Sequence, residues 1–280
     1  MKLTFLGTGT SQGVPVIACR CNVCRSLDRQ DNRLRTSALL QIENEKVENE
    51  KSADATQNFN FQFSTFNLLF DIGPDFRQQM LRHDVDHLDA ILITHAHRDH
   101  VGGLDDIRSF NYVQHSKMDI FLNAEARHAI ERDYHYIFEP HPFPGLPEAN
   151  LHTVDAPFTI APKNPGARPI EVVPIKAMHK DLPILGFRVG SLSYITDANH
   201  IAPEEMKKVF GSDILVVNAL RKEKHFSHFS LPEALEVIAQ VKPRQAYITH
   251  ISHEMGLHAE IERTLPPGVH LAYDNLQIDF

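Results

Sequence analysis

The chain has 280 residues, enough to bury a large core, and its 42% hydrophobic and 23% charged residues are those of a globular protein. A net charge of −8 disfavours nucleic acid as a partner, since that affinity comes mostly from Lys and Arg meeting phosphates. No apolar run approaches the ~20 residues that span a bilayer, the N-terminus has no apolar signal core, and three cysteines within six positions make a poor disulfide framework. Together these features predict a cytoplasmic chain with no membrane partner.

In chain order, Lys2–Leu6 reads as a short strand entering a Gly7-Thr8-Gly9-Thr10 turn, and Thr36–Ile42 alternates apolar and polar like a strand. Residues Glu43–Thr65 are polar and acidic, contain no glycine, and read as an insertion with a mobile tip and a partly ordered base, in which Phe59, Phe61 and Phe63 alternate. Asn67–Asp71 is an apolar strand, and Pro74–His83 has helical spacing with proline in its first turn. Ala90–Thr94 is a buried strand that delivers His95–His100 at its C-terminal end. A helix over Gly103–Phe110, a strand over Ile120–Leu122, a helix over Glu125–Tyr136 and a proline-rich loop over Glu139–Pro147 follow.

The second half continues the alternation. Ile170–Ala177, Gly186–Val189 and Leu192–Thr196 read as strands, the last two as a hairpin around Gly190-Ser191. Helices over Pro203–Phe210 and Pro232–Val241 flank a strand over Ile214–Val217. Gln245–Thr249 is a strand, Met255–Leu265 a short helix, and Val269–Ile278 a closing strand. Two similar halves of mixed strands and helices predict one α/β domain over residues 1–280, with two sheets sandwiched between helices.

Chemistry concentrates in His95-Ala96-His97-Arg98-Asp99-His100, where three imidazoles and a carboxylate fall within six residues just after a buried strand. Nitrogen donors with one oxygen donor suit Zn, Mn or Fe. On a tight turn His95 and His97 can reach one metal while Asp99 and His100 swing to a second. Most of the other histidines, including His83, His87, His115, His128 and His270, read as surface residues.

The segment Thr94–Gly103 matches the H-x-H-x-D-H pattern in full and so resembles the metallo-β-lactamase superfamily. The resemblance implies an αββα sandwich and two catalytic divalent metals, Zn or Mn. It places the remaining ligands at His179, Asp197 and His250, each at or just past a predicted strand end. His95, His97 and His179 would hold one metal, Asp99, His100 and His250 the other, with Asp197 bridging them. Asp71, which closes its strand, stands where that superfamily places a carboxylate behind the ligands; an Asp satisfying a turn is the competing reading.

Cys19-Arg20-Cys21-Asn22-Val23-Cys24 is C-x-C-x-x-C, a thiolate density that suggests structural zinc in a cytosolic chain. Local spacing cannot name a fourth ligand. Gly13-Val14-Pro15 ahead of this segment, together with Thr249-His250-Ile251-Ser252-His253, resembles the PhnP-like phosphoribosyl cyclic phosphodiesterases. That resemblance implies His253 as the fourth ligand. It also implies a general acid just before the helix at Pro232, a place that His228 fits best, with His225 second.

The reaction then expected is the opening of a small cyclic ribose phosphate. A hydroxide generated by two metals about 3.5–4 Å apart attacks phosphorus. Arg98 or Lys180 balances charge on the phosphoryl oxygens, and His228 protonates the leaving oxygen. The partner is thus a small phosphodiester, and a homodimer is allowed. A tRNA 3′-end endonuclease is an alternative, opposed by an insertion that is acidic and free of glycine. A non-catalytic accessory protein of pyrroloquinoline quinone biosynthesis shares the cysteine segment, but typically has a degenerate ligand set.

Overall fold

A computed structural model describes residues 1–44, 64–139, 143–163 and 168–280. Among these, two seven-stranded sheets pack face to face. The first is built from β1 (Lys2–Gly7), β2 (Ser37–Asn44), β3 (Ser64–Phe70), β4 (Ala90–Leu92), β5 (Met118–Leu122) and β6 (Ala149–Thr153). The second contains β7 (Phe158–Ile160), β8 (Ile170–His179), β9 (Leu182–Val189), β10 (Leu192–Ile195), β11 (Ile214–Asn218), β12 (Gln245–Thr249) and β13 (Val269–Leu271). The last strand, β14 (Gln277–Asp279), returns to the first sheet and pairs antiparallel with β1. Spatial order is β14-β1-β2-β3-β4-β5-β6 in one sheet and β13-β12-β11-β10-β9-β8-β7 in the other.

The strands read as apolar runs because both faces of each sheet are covered. Within β3, Leu68 and Phe70 join the inter-sheet core with Leu3, Leu40 and Tyr194, and the rings of Phe70 and Tyr194 stack at 4.5 Å. Leu69 points the other way, into a layer shared with Phe76, Met80, Ile107 and Ile130. These come from α1 (Phe76–Arg82), α3 (Ile107–Gln114) and α4 (Ala124–Asp133); α2 is the four-residue turn Arg98–Val101. The second sheet is covered likewise by α5 (Pro203–Val209), α6 (Leu231–Val241) and α7 (His258–Glu262), through Met206, Val237 and Ile261. A capping box of Ser230 and Glu233 starts α6 just behind the His225–His228 loop. The αββα sandwich expected from the sequence is the observed fold.

Three expectations need correction. Val269–Ile278 is not one strand: β13 lies parallel to β12 in the second sheet, and β14 lies in the first. The crossing is fixed by Asp274, whose carboxylate accepts from the backbone N–H groups of Thr8 and Leu34 at 2.9 and 2.7 Å, with Asn275 at φ 74°. Apolar alternation carries no mark of a change of sheet. The helix expected over Met255–Leu265 is only His258–Glu262, because Gly256 at φ 108° interrupts it. The strands β6 and β7 have no counterpart among the expected elements. The side chains of β6 are largely exposed and β7 has three residues, so neither leaves an apolar signature. At the expected insertion, β2 and β3 pair as far as Asn44 with Ser64, which forms the base. Its tip, with Phe59, Phe61 and Phe63, lies outside the described residues, as do 140–142 of the expected proline-rich loop.

Candidate metal centre

The two sheets bring strand ends to one edge. β3 leads into Asp71, β4 leads into His95, β8 ends at His179, β10 leads into Asp197 and β12 leads into His250. β10, β11 and β12 are parallel, so the residues that follow β10 and β12 emerge on the same edge. Asp71, Asp197 and His250 turn through the left-handed region, at φ 58°, 62° and 55°. Backbone strain of this kind in non-glycine residues persists only where the surroundings over-determine it, and it gathers at functional sites. Asn218 clamps the Asp197 turn, with its Oδ1 accepting from Ala198 N–H at 2.8 Å and its Nδ2 donating to the Ala198 carbonyl at 3.0 Å.

All seven expected ligands meet at this edge. One ligand atom each from His95, His97 and His179 forms a group within 4.8 Å, and so do Asp99, His100, Asp197 and His250. Asp197 reaches both imidazoles of its group, with Oδ2 3.3 Å from His100 Nε2 and Oδ1 3.1 Å from His250 Nε2. His228 enters the same cluster, its Nε2 3.2 Å from Asp197 Oδ1. His225 lies behind it, the two Nδ1 atoms 3.3 Å apart.

Behind the cluster the fold holds the imidazoles by their other nitrogen. His100 Nδ1 donates to Asp71 Oδ2 at 2.7 Å, and Thr94 N–H donates to Asp71 Oδ1 at 2.8 Å. Thr94 Oγ1 donates to the same carboxylate and accepts from His95 Nδ1 at 3.0 Å. Thr36 Oγ1 donates to the Gly9 carbonyl and accepts from His250 Nδ1 at 3.2 Å. His179 Nδ1 donates to the carbonyls of Asp197 and Ser227 at 2.8 and 2.9 Å. Each contact places the proton on Nδ1 and leaves Nε2 as a lone-pair donor aimed at the cluster. Asp71 therefore sits behind the ligands and is not merely a turn residue. Thr36 and Ser227 carry no sequence signal for these roles; Thr94, next to His95, is the one partner that adjacency could have suggested.

The fit to a metal can be tested on orphaned atoms. His95 Nε2 is buried without a hydrogen-bond partner, a costly arrangement for a polar atom unless a cation meets it, while the equally buried His100 Nε2 faces carboxylate oxygens of Asp99 and Asp197 at 3.3 Å. Burial, then the nearby His100, pushes the His95 pKa well below the ordinary imidazole value, and burial takes His250 down to about 3. Both imidazoles are neutral at physiological pH, the form that can ligate a metal. For His100, burial is outweighed by Asp197, Asp99 and Asp71, which raise its pKa; a divalent cation would displace that proton.

A second cage forms at Cys19, Cys21, Cys24 and His253, whose ligand atoms also lie within 4.8 Å of one another. His253 Nδ1 is 3.4 Å from both Cys19 Sγ and Cys21 Sγ. The loop joining the two cages is held by the Gly7–Thr10 turn: Ile251 N–H donates to the Thr8 carbonyl at 2.9 Å, and Thr10 N–H donates to the Ile251 carbonyl at 3.2 Å. None of His83, His87, His115, His128 and His270 takes part in either cage. Lys180 is turned aside, paired with Asp181 at 3.6 Å and lying 5.8 Å over the Phe226 ring.

Residues 66–251 match the family model of the β-lactamase superfamily domain. A diphosphatase of the PhnP family is similar in structure with a TM-score of 0.82 and 32% identity, over 100% of this chain and 97% of that one. Zn²⁺-bound PqqB from Methylobacterium extorquens shares the fold, with a TM-score of 0.72 at 17% identity and full coverage of both chains. An octanoyltransferase of Porphyromonas gingivalis strain W83 is 38% identical over 99% of this chain but 51% of its own, so the chain spans about half the length of that relative. The family model covers most of the chain and the PhnP-family structure all of it, and the chain therefore belongs to the metallo-β-lactamase superfamily of metal-dependent hydrolases and, within it, to the PhnP family.

Proposed function

We propose that this chain is a phosphodiesterase that opens a small cyclic ribose phosphate to a monoester. The observation that carries the reading is the set of imidazoles locked through Nδ1 and gathered around Asp197, with His95 Nε2 buried and without a hydrogen-bond partner and His100 Nε2 buried against Asp99 and Asp197. His95, His97 and His179 would hold one Zn or Mn ion, Asp99, His100 and His250 a second, and Asp197 both; Cys19, Cys21, Cys24 and His253 would hold structural zinc. When bound, catalytic ions of this kind supply Lewis acidity and bring the pKa of a water towards neutrality.

The chain's own residues do the rest. His228 is 11% exposed, close to Asp197 and backed by Ser227 Oγ at 3.0 Å from its Nδ1. As an imidazolium it can deliver the Nε2 proton to the departing ribose oxygen as the P–O bond to that oxygen breaks. Resemblance to a PhnP-family diphosphatase favours attack at phosphorus over attack at carbon. The acidic chain favours a small substrate over tRNA, and no helix among the described residues is long and apolar enough to cross a membrane.

The octanoyltransferase relative motivates a second reading, hydrolysis of an acyl thioester, although the other half of that protein could equally carry the named activity. A turnover screen separates these readings, using ribose 1,2-cyclic phosphate, bis(p-nitrophenyl) phosphate, pre-tRNA and an octanoyl thioester. Turnover of the cyclic ester at least 10-fold above the others supports the proposal; hydrolysis of the thioester alone replaces it.

A further inference from the structure

The loop ahead of α6 carries two histidines in the run His225-Phe226-Ser227-His228, and among the described residues only the second belongs to a ligand group. His228 Nε2 reaches Asp197 at 3.2 Å; its ring stands edge-on to His179, with centroids 4.5 Å apart, and stacks on His250 at 5.0 Å. His225 lies against the opposite, Nδ1 side of that ring. The loop that places it is pinned at several points. Phe229 N–H donates to the Ala198 carbonyl at 2.8 Å, Leu231 N–H to the Arg221 carbonyl at 2.8 Å, and Asn199 Nδ2 to the Phe226 carbonyl at 3.0 Å.

The hydrogen bonds between the two rings have a direction. Ser227 N–H donates to His225 Nδ1 at 3.4 Å, so that nitrogen carries a lone pair and the His225 proton is on Nε2. Ser227 Oγ stands 3.2 Å from His225 Nδ1 and 3.0 Å from His228 Nδ1, and the two Nδ1 atoms are 3.3 Å apart. With an acceptor at His225, the hydroxyl proton points to His225, and Ser227 Oγ is left to accept from His228 Nδ1–H. Every contact on this side of His228 therefore demands a proton on its Nδ1. Burial, then the nearby His228, holds the His225 pKa below the ordinary imidazole value, which keeps His225 the neutral acceptor of the pair.

From this chain of contacts we propose that His225 is a positioning residue for the proton donor: its Nδ1 lone pair, directly and through Ser227 Oγ, keeps His228 Nδ1 protonated and His228 Nε2 turned to the metal centre. The inference rests on the reading of His228 as the general acid and extends it to a residue that does not touch the reacting atoms. When the Nε2 proton passes to the departing ribose oxygen as the P–O bond breaks, His228 becomes neutral with its remaining proton on Nδ1, where Ser227 Oγ and His225 already accept it. No change of tautomer or flip of the ring accompanies transfer, and Nε2 is ready to take the next proton from water. Without His225, the Ser227 hydroxyl is free to donate to His228 Nδ1, and the ring loses the acceptors that hold Nδ1–H and fix its orientation.

The test measures kcat and KM for ribose 1,2-cyclic phosphate, whose leaving oxygen needs a proton, and for bis(p-nitrophenyl) phosphate, whose leaving group needs little. The proteins are the metal-replete wild type, His225→Ala, His225→Asn, His225→Gln, His228→Ala and the His225→Ala/His228→Ala double variant, with metal content and melting temperature measured in parallel. His225→Ala should lower kcat on the cyclic ester roughly 5–10-fold with little change in KM, the effect of one hydrogen bond to the donor, and should lose much less on the p-nitrophenyl ester. His225→Asn should recover most of the loss, because its amide oxygen can stand where Nδ1 stood; His225→Gln, whose amide falls at the position of Nε2, should not. In the His228→Ala background the His225 substitution should cost nothing further. An equal loss on both leaving groups, loss of metal from His225→Ala, a loss that adds in full to that of His228→Ala, or no difference between the Asn and Gln variants overturns the inference. The Asn and Gln comparison decides it even where the alanine variant folds poorly. If His228→Ala shows the leaving-group dependence and His225→Ala shows none, the inference falls alone; if His228→Ala loses both esters equally, the general acid falls with it.

Discussion

The two cages of this molecule gather their ligand atoms equally closely, within 4.8 Å, but they are held in different ways. At the catalytic edge His95, His100 and His250 are at most 1% exposed, and each Nδ1 is tied to a partner that the sheets fix. The cysteine cage sits on a long connection between β1 and β2 whose only regular element is a three-residue turn at Arg29–Asp31, and all three thiols are partly exposed. Several of its hydrogen bonds run to the sulfurs themselves: Val16 N–H reaches Cys24 Sγ at 3.3 Å and Cys24 N–H reaches Cys21 Sγ at 3.4 Å. The Cys24 backbone N–H, then His253, pulls the Cys21 thiol down to about 6, whereas burial pushes Cys24 up to about 11. The first cage is framed by the two sheets; the second is framed by a loop, which a bound zinc would be expected to hold.

Removing a ligand from each cage should separate these roles most sharply. His95→Ala should lose catalytic metal and lower turnover on every substrate by about 10³-fold or more, since a bound ion is worth several kcal/mol of transition-state stabilisation. Its far-ultraviolet circular dichroism should stay that of the wild type. Cys21→Ser should do the converse, releasing zinc and lowering the melting temperature. Structural zinc contributes ~10–16 kcal/mol in small zinc peptides, and less in a chain with its own inter-sheet core. Elemental analysis of metal-replete wild type should find more than two ions per chain. One ion or fewer, or a Cys21→Ser variant with unchanged zinc and melting temperature, removes the distinction between the cages.

The same contrast governs what could be read in advance. The H-x-H-x-D-H run and the cysteine run are local in the sequence, and His179, Asp197 and His250 came from the resemblance to the superfamily, with a predicted strand end at each to support the placement. The supports are different. Thr36 reaches His250 across 214 positions and the Ser227 carbonyl reaches His179 across 48, and neither is distinguishable by residue type or spacing. The fold class was legible because strands covered on both faces leave strong apolar runs. The split of Val269–Ile278 between two sheets was not, because it is decided by the buried Asp274 meeting Thr8 and Leu34, a contact between opposite ends of the chain.

A narrower test concerns the residue on the boundary of the catalytic cage. His228 lies close enough to His179 and Asp197 to form a ligand group with them, so its position alone permits two roles. As a general acid, His228→Ala should keep full metal content and melting temperature and lose roughly 10²-fold in turnover of an alkyl phosphodiester. The loss should shrink for p-nitrophenyl esters, whose leaving group needs little protonation. Equal losses on both leaving groups rule out the acid, and loss of metal reassigns His228 as a ligand.

The smallest expected effect probes how the sheets hold the catalytic cage. Asp71 is fully buried, turns at φ 58° and accepts from Thr94 N–H, Thr94 Oγ1 and His100 Nδ1. Asn has nearly the same shape and tolerates the left-handed region, so Asp71→Asn should fold with at most a modest loss of stability. Its amide oxygen can still accept from Thr94, but its NH₂ then faces His100 Nδ1. Two donors cannot meet there, so His100 must accept at Nδ1 and carry its proton on Nε2, the atom required for a metal. Affinity for one of the two catalytic ions should fall by about 10–100-fold, the usual cost of losing a partner behind a ligating imidazole. Titration with Mn²⁺ or Zn²⁺ under competing chelator measures it, and excess metal should restore most of the activity. Unchanged affinity in a folded Asp71→Asn protein would falsify the view that the carboxylate sets the His100 tautomer. Loss of folding instead would place Asp71 among the residues that hold the β3 turn, and the isosteric amide would then have failed through Thr94 and not through His100.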